Sequence, residues 1–170
     1  MAKVLMIIAP ARFRDEELFI TQQELENAGH ETIIASTITG NCPGSRGGFA
    51  TATQTLAEVQ TQDYDAVVFV GGGGAKTYYT NHQALSIAKE MHSQGKIVAA
   101  ICLAPVILAN AGLLQGKSAT VAGTEAKTIE SKGATYTGPG VTVDGNIVTG
   151  NAPKSSRRFG QEIAALLKAK

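Results

Sequence analysis

Cys102 lies in the stretch IVAAICLAPVILANAGLL (Ile97–Leu114), where an apolar run meets a segment typical of a helix. Residues Ile97–Ile101 predict a strand buried on both faces, and Pro105 suits the first turn of a helix because its missing amide hydrogen is no loss there. A cysteine at this junction has the position of a nucleophile elbow, and a helix N-terminus beneath it favours a thiolate. A core cysteine on an apolar strand is an equally good interpretation of this stretch alone.

Three acidic residues in a row, Asp15, Glu16 and Glu17, open a predicted helix near the N-terminus. A first-turn carboxylate is stabilised by the helix dipole, so a solvated side chain is the default interpretation, with Asp15 as the helix cap. A carboxyl on the inner face could instead meet Cys102, and burial there would raise its pKa enough to hold a proton near neutral pH. Periodicity favours Glu17 over Glu16 only weakly, because both border the apolar side of the helix.

The run Gly71–Gly74 follows a predicted buried strand, Ala66–Val70. It matches neither the dinucleotide fingerprint nor the phosphate loop, because the required glycine spacing and the Gly-Lys-Ser/Thr ending are absent. Tightly turning backbone can leave N–H groups pointing into a cleft, where they would stabilise an oxyanion. A flexible turn explains the glycines equally well without other context.

Strand patterns alternate with helical patterns along the whole chain, which predicts one α/β domain over residues 1–170. The expected architecture is a three-layer sandwich with a mostly parallel central sheet. The predicted strands are Lys3–Ala9, Glu31–Ala35, Ala50–Thr53, Ala66–Val70, Ile97–Ile101, Ser118–Val121 and a hairpin that turns at Asp144-Gly145. The predicted helices are Asp15–Ala28, Asn81–Gln94, one that begins at Pro105, Thr124–Ser131 and Ser155–Lys168, while Ser36–Gly48 is predicted as a surface loop.

Ligands of such sheets bind beyond the carboxyl ends of the strands. The loops that follow Ala9, Val70 and Ile101 should meet at that edge. They would bring the acidic cluster, the glycine run and Cys102 together. This convergence predicts a candidate site without any appeal to a known protein.

Composition excludes several classes of protein. The chain has 44% hydrophobic and 17% charged residues and a net charge of +1, which indicates a globular protein with no field directed at nucleic acid or a membrane surface. Cys42 and Cys102 are too few for a disulfide scaffold, so a reducing cytoplasm is the expected compartment. The N-terminal MAKVLMIIAPAR predicts a first strand and not a signal peptide, because no small-residue cleavage site follows it.

The three histidines, His30, His82 and His92, stand away from the predicted carboxyl edge of the sheet. None follows Cys102, so no Cys–His nucleophile pair is evident. No cluster of cysteine and histidine has the spacing of metal ligands, and we expect neither a metal nor a cofactor.

Four stretches in order, FRDEELFITQQELENAGHE, YDAVVFVGGGG, AAICLAPVILANAGLL and VTVDGNIVTG, resemble the DJ-1/PfpI superfamily over nearly the whole chain. The resemblance implies a flavodoxin-like sandwich of the DJ-1 type. It also implies a reactive cysteine at Cys102, a proton-holding carboxyl at Glu17, and oxyanion-binding amides at Gly72 and Leu103. Further residues that could line the mouth of the site are Gly71, Gly73, Arg46 and Asn151.

The resemblance implies a cofactor-free enzyme acting on small reactive carbonyls, of the glyoxalase III or deglycase type, that converts methylglyoxal to lactate. It also implies a homodimer or a higher homo-oligomer. An oxidative-stress sensor or chaperone with an oxidisable Cys102 is an alternative. A PfpI-type intracellular cysteine protease or amidase is a further one. Leu103 stands where such proteases carry histidine, and Ser118–Lys127 lacks the histidine of DJ-1 itself, which weakens the protease alternative.

Two properties of the cysteines follow from the elbow hypothesis. The backbone of Cys102 should be strained, because an elbow forces unusual angles. Its pKa should lie below that of an ordinary cysteine, because the helix N-terminus and a protonated Glu17 would both stabilise the thiolate. Cys42, in a Pro-Gly loop, should react as a normal thiol.

Overall fold

A computed structural model describes all residues, Met1–Lys170. The strands are β1 (Lys3–Ile7), β2 (Glu31–Ser36), β3 (Gly40–Pro43), β4 (Phe49–Ala52), β5 (Gln54–Thr55), β6 (Ala66–Phe69), β7 (Ile97–Ile101), β8 (Ser118–Ala119), β9 (Thr135–Tyr136), β10 (Val141–Asp144) and β11 (Ile147–Gly150). The α-helices are α1 (Asp15–Asn27), α2 (His82–Ser93), α3 (Pro105–Asn110), α4 (Ala126–Ser131) and α5 (Ser156–Lys168). No helix is both long and apolar enough to cross a membrane.

The central sheet has seven strands in the order β10-β11-β7-β6-β1-β2-β5. Every neighbouring pair is parallel except β10 with β11, the hairpin predicted at Asp144-Gly145. The predicted α/β fold with a mostly parallel sheet is therefore confirmed. Strands β6 and β7 are fully buried, as their continuous apolar sequences require of parallel strands covered on both faces.

Side chains alternate between the two faces of the sheet and so build two cores. In β1, Leu5 and Ile7 pack with residues of α2, α3 and α4, whereas Val4 and Met6 pack with residues of α1 and α5. Helix α1 therefore lies on the same face as α5. The side chains that α1 turns inward can reach the carboxyl edge of the sheet.

The segment predicted as a surface loop, Ser36–Gly48, instead contains β3, which pairs antiparallel with β4. We call β3, β4 and the residues between them the hairpin arm. Its tip is bonded to the chain that precedes α1: Arg12 N–H donates to Pro43 O at 2.9 Å and Ser45 N–H to Phe13 O at 2.9 Å. These long-range backbone bonds explain why local turn signals in the sequence were misleading here.

Asp15 fastens the hairpin arm to α1. Its carboxylate accepts hydrogen bonds from the backbone N–H groups of Arg46 at 2.9 Å and Gly48 at 2.7 Å. The helix cap is Arg14, without a capping side-chain bond, so the prediction that Asp15 caps α1 is wrong. The carboxylate binds the amides of another segment and not those of its own helix.

Candidate active site

Cys102 joins β7 to the turn before α3 with a φ of 64°, a left-handed conformation rare outside glycine. Its N–H donates to Gly150 O at 2.9 Å, and its carbonyl accepts from Ala122 N–H at 2.7 Å. These bonds hold the strained residue from both sides, and its side chain is partly exposed. The predicted strain at the elbow is confirmed.

Glu17 and Glu16 point to opposite environments. Glu17 is fully buried, with an exposure of 0%, whereas the Glu16 side chain is 38% exposed and bonds Arg14 at 2.8 Å. Successive helical residues point about 100° apart, so only one of the two can face the elbow. The structure places Glu17 there, in agreement with the choice made from the sequence.

Gly71 lies between Glu17 and Cys102 and sets how closely they approach. A β-carbon on Gly71 would overlap a carboxyl oxygen of Glu17 and lie 2.8 Å from Cys102 Cβ and 2.5 Å from Ile101 O. Any larger residue would therefore push the carboxyl and the thiol apart. Gly71, predicted as a mouth residue, is buried between the two groups, while Gly73 is exposed.

Burial raises the pKa of Glu17 to about 8. The adjacent Cys102 thiol and Gly71 amide, together with the charge of Arg14, offset part of this effect. Neither carboxyl oxygen has a well-formed hydrogen-bond partner within the protein. The carboxyl is consequently neutral for the most part at pH 7, which makes it a proton donor as well as a potential base.

Burial also raises the pKa of Cys102, and the charge of an ionised Glu17 raises it further. The N–H groups of Gly72 and Leu103 act in the opposite direction without cancelling these effects. The prediction of a lowered pKa for Cys102 is therefore wrong, because desolvation outweighs the local amides. A thiolate at this site requires transfer of the thiol proton to the ionised form of Glu17, which is the minor form at pH 7.

The amides of Gly72 and Leu103 lie close enough to the thiol of Cys102 to act against the rise in its pKa. Gly72 has a φ of 102°, and a β-carbon there would lie 2.5 Å from Arg14 N. Only glycine fits this position without distortion. The two N–H groups are thus positioned where negative charge on sulfur, or on an atom bonded to it, would develop.

Two residues predicted at the mouth have other contacts. Asn151 Oδ1 accepts from Gly140 N–H at 2.9 Å and from the Ser155 hydroxyl at 2.9 Å, so it ties β10 to the segment before α5. Arg46 is exposed at the tip of the hairpin arm, and its charge helps to lower the pKa of Glu16. Substrate contact by either residue stays a prediction.

Sequence reasoning missed three residues around the elbow. Arg14 donates its N–H to Gly71 O at 2.9 Å and bonds Glu16 through its guanidinium. The Tyr79 hydroxyl is buried without a hydrogen-bond partner; burial and the nearby charge of Glu125 raise the pKa of Tyr79. No periodicity or motif marks these positions, because each reaches the site through an irregular segment.

The histidines lie elsewhere: His30 accepts from Ala2 N–H at 3.1 Å, and His82 and His92 belong to α2. No group of three or more histidine, cysteine or acidic side chains could hold a metal ion. The groups that the chain itself supplies at the elbow are Cys102, Glu17 and the nearby backbone amides.

The fold and the site together define a class of mostly parallel α/β sandwiches that carry a strained cysteine at a strand–helix elbow, beside a buried carboxyl. The chain belongs to the DJ-1/PfpI family, whose model matches residues 2–166.

Relatives and solved structures agree with this assignment. A protein of Methanocaldococcus jannaschii without an assigned activity is 44% identical over 165 residues, which cover 95% of this chain and 80% of that protein. A Pyrococcus horikoshii protein named a deglycase is 35% identical, with 98% of this chain and 99% of that protein covered. The crystal structure of a ThiJ/PfpI domain protein from Brachyspira murdochii matches with a TM-score of 0.97 at 33% identity, covering 99% of this chain and 97% of that one. Oxidised Toxoplasma gondii DJ-1 matches with a TM-score of 0.88 at 29% identity, covering 98% of this chain and 91% of that one.

Proposed function

We propose that this protein is a cofactor-free enzyme that acts on small reactive carbonyls through Cys102 and Glu17, of the deglycase or glyoxalase III type. The observation that carries the proposal is the buried, neutral carboxyl of Glu17 held against the Cys102 thiol by the absence of a side chain at Gly71. The deglycase names of relatives at 32–35% identity support the same class of reaction.

The reaction begins from the form of the pair that holds one proton. Cys102 passes its proton to Glu17, and the thiolate attacks the aldehyde carbon of methylglyoxal to form a hemithioacetal oxyanion. The amides of Gly72 and Leu103 stabilise this oxyanion until Glu17 protonates it; loss of one such donor in a related kind of site costs roughly 3–4 kcal/mol. For a glycated amine or thiol, the thiolate instead substitutes at the carbinol carbon: the new C–S bond forms, the bond to the amine or thiol breaks, and protonated Glu17 donates the proton that the leaving group takes up.

Glu17, now a carboxylate, removes the hydrogen on the carbinol carbon and returns a proton to the neighbouring carbon. This shift converts the hemithioacetal into a thioester of lactate. Water then hydrolyses the thioester, which releases lactate and restores the thiol. One carboxyl therefore serves in turn as acid and base, a role for which a pKa of about 8 is suited.

Lactate formation from methylglyoxal without glutathione tests the proposal directly. The wild-type protein should produce lactate, and Cys102→Ser should not, while both remain folded by circular dichroism. Failure of the wild-type protein to produce lactate, or equal production by Cys102→Ser, would contradict the proposal.

Redox sensing is the second candidate, since the site that would stabilise an oxyanion would also stabilise an oxidised cysteine. The partly exposed Cys102 and the two adjacent amides favour it, and one structural neighbour is an oxidised DJ-1. Stable oxidation of Cys102 by dilute peroxide in a protein that turns over no carbonyl would favour sensing over catalysis. The protease alternative would require peptide turnover that is lost in Cys102→Ser.

We also propose that the protein forms a homodimer. Phe49 on the hairpin arm is 65% exposed and Phe19 on α1 is 37% exposed, and both border Gly48. Exposed neighbouring aromatic rings favour association. Sedimentation of the wild-type protein and of Phe49→Asp tests this expectation, and a wild-type monomer would contradict it.

A further inference from the structure

A groove with a volume of about 470 Å³ lies between the first turn of α1 and the segment that leads into α5. Its lining includes Arg14, Glu16, Ile20, Pro153, Lys154 and Arg157. Three side chains bring positive charge and one brings negative charge, on a protein whose net charge is only +1. Such a concentration of cations requires an explanation beyond general solubility.

One lining residue of the groove, Arg14, is bonded through its backbone to the segment beside the elbow. Arg14 N–H donates to Gly71 O at 2.9 Å, on the residue that lies between Glu17 and Cys102. Cys102 N–H donates to Gly150 O at 2.9 Å, and the chain then continues from Gly150 to the lining residues Pro153 and Lys154 within four positions. The pKa of Arg14 is raised mainly by its bond to Glu16, and the negative charges of Glu17 and Cys102 raise it further.

Ion pairs neutralise part of the positive charge. Glu16 bonds Arg14 at 2.8 Å, and this contact lowers the pKa of Glu16 to about 2, so the pair is permanent. Arg157 bonds Glu24 at 2.7 Å, but its side chain remains 60% exposed. Lys154 has no carboxylate within ion-pair distance. The N-termini of α1 and α5, helices of 13 residues each, add partial positive charge.

We infer that this groove binds the anionic group, a carboxylate or a phosphate, of a compound whose reactive carbon lies at Cys102. The inference deepens the proposed function by naming the substrate class as anionic carbonyl compounds. The expected preference of the groove for an anionic substrate rests on the charges of its lining residues and not on the chemistry at Cys102. Lys154 is the determinant that substitution can test, because it is exposed and bonded to no other side chain.

Alkylation of Cys102 by iodoacetate and by iodoacetamide tests the groove without any turnover. The reagents differ in charge and share one reaction, so the ratio of their rates reports the local field. Lys154→Glu should lower the ratio of iodoacetate to iodoacetamide about fivefold, and high salt should lower the wild-type ratio. Lys89→Glu, on α2 across the sheet, is the matched control and should leave the ratio unchanged. An unchanged ratio in Lys154→Glu would overturn the inference.

Matched substrates test the same point during turnover and distinguish the two anions. Hemithioacetals of methylglyoxal with N-acetylcysteine and with its amide differ by a carboxylate; hydroxypyruvaldehyde phosphate and hydroxypyruvaldehyde, both 2-oxoaldehydes, differ by a phosphate. The anionic member of one pair should have the higher kcat/KM, and Lys154→Glu should reduce that advantage several-fold.

The outcomes separate the two proposals. Suppose that the protein turns over none of these compounds and still shows an alkylation ratio that depends on Lys154. That result would support anion binding by the groove and contradict the proposed function. Equal kcat/KM within both pairs, together with a ratio insensitive to Lys154, overturns the inference alone. If Lys154→Glu changed sedimentation and left the ratio unaltered, the groove would be a contact with a second copy of the chain.

Discussion

Cys102 and Cys42 are the two cysteines of this chain, and they lie in regions built in different ways. Cys42 is fully buried in β3, among apolar side chains of the hairpin arm, α1 and the sheet. Cys102 is partly exposed, in a left-handed conformation, beside a titratable carboxyl and two free amides. The difference shows that surroundings select the nucleophile, since the thiol itself is the same in both places.

Removal of each thiol should produce the largest contrast between these regions. We expect Cys102→Ala to lose carbonyl turnover by a factor on the order of a thousand or more, because no other nucleophile lies at the elbow. Cys42→Ala should keep turnover near the wild-type level and lose about 1 kcal/mol of stability through the small cavity it leaves. Lactate assays and urea unfolding of both variants measure these effects. Comparable loss of turnover in both would remove the distinction.

The second-largest expected effect is a loss of activity on substitution of one of two adjacent glutamates, Glu17 and not Glu16. Glu17→Gln keeps the shape of the side chain but cannot transfer protons, so kcat should fall about a hundredfold or more. Glu16→Gln should change kcat little, because Glu16 faces solvent and Arg14. Steady-state kinetics with methylglyoxal provide the comparison. A larger effect from Glu16→Gln would reassign the acid–base role.

The pH dependence of alkylation sharpens the comparison further. Since the pKa of Glu17 is about 8, the form of the pair that holds one proton is the minor species below that pH. The rate at Cys102 should therefore rise about tenfold per pH unit up to about pH 8 and then level off. Cys42 should react only when the hairpin arm opens or the protein unfolds. Mass spectrometry of iodoacetamide-treated protein between pH 5 and 10 measures both rates, and a Glu17→Gln variant that kept the same inflection would exclude Glu17 as its origin.

The smallest expected effect concerns the hairpin arm that covers Cys42. Asp15→Asn weakens two charge-assisted bonds to the amides of Arg46 and Gly48, at a cost of about 1–2 kcal/mol. Labelling of Cys42 by a neutral thiol reagent should accelerate about tenfold, while labelling of Cys102 changes less. Asp63→Asn, at an exposed position, serves as the control. Equal acceleration at both cysteines would indicate general loosening and not local opening.

The sequence was sufficient for the fold because its strongest signals are continuous apolar strands separated by amphipathic helices. Cys102 could be located in the same way, since Pro105 and the strand before it mark the elbow. Glu17 needed the family resemblance, because helical periodicity alone nearly balances it against Glu16. Its burial depends on Gly71, which comes from a distant part of the chain.

The hairpin arm and the pKa of Cys102 could not be obtained from local patterns. Asp15 is typical of a helix cap until the amides of Arg46 and Gly48 bind it. Cys42 stands in a Pro-Gly segment typical of an exposed loop, yet pairing of β3 with β4 buries it, so the predicted loop position is wrong. We therefore expect Cys42 to react more slowly than a normal thiol. For Cys102, the strand–helix junction predicts nearby amides that lower the pKa of the thiol. It does not reveal how far burial raises that pKa, because burial depends on distant segments.

At Cys102, the left-handed backbone conformation lowers the stability of the chain, while the side chain supplies the thiol of the candidate site. Glycine adopts a φ of 64° without the steric penalty that a β-carbon brings, so the backbone at this point is better suited to glycine than to cysteine. Repeated selection for thermal tolerance alone would therefore favour loss of the sulfur. A Cys102→Gly variant is accordingly expected to relieve the backbone strain while it removes the thiol that the proposed chemistry needs.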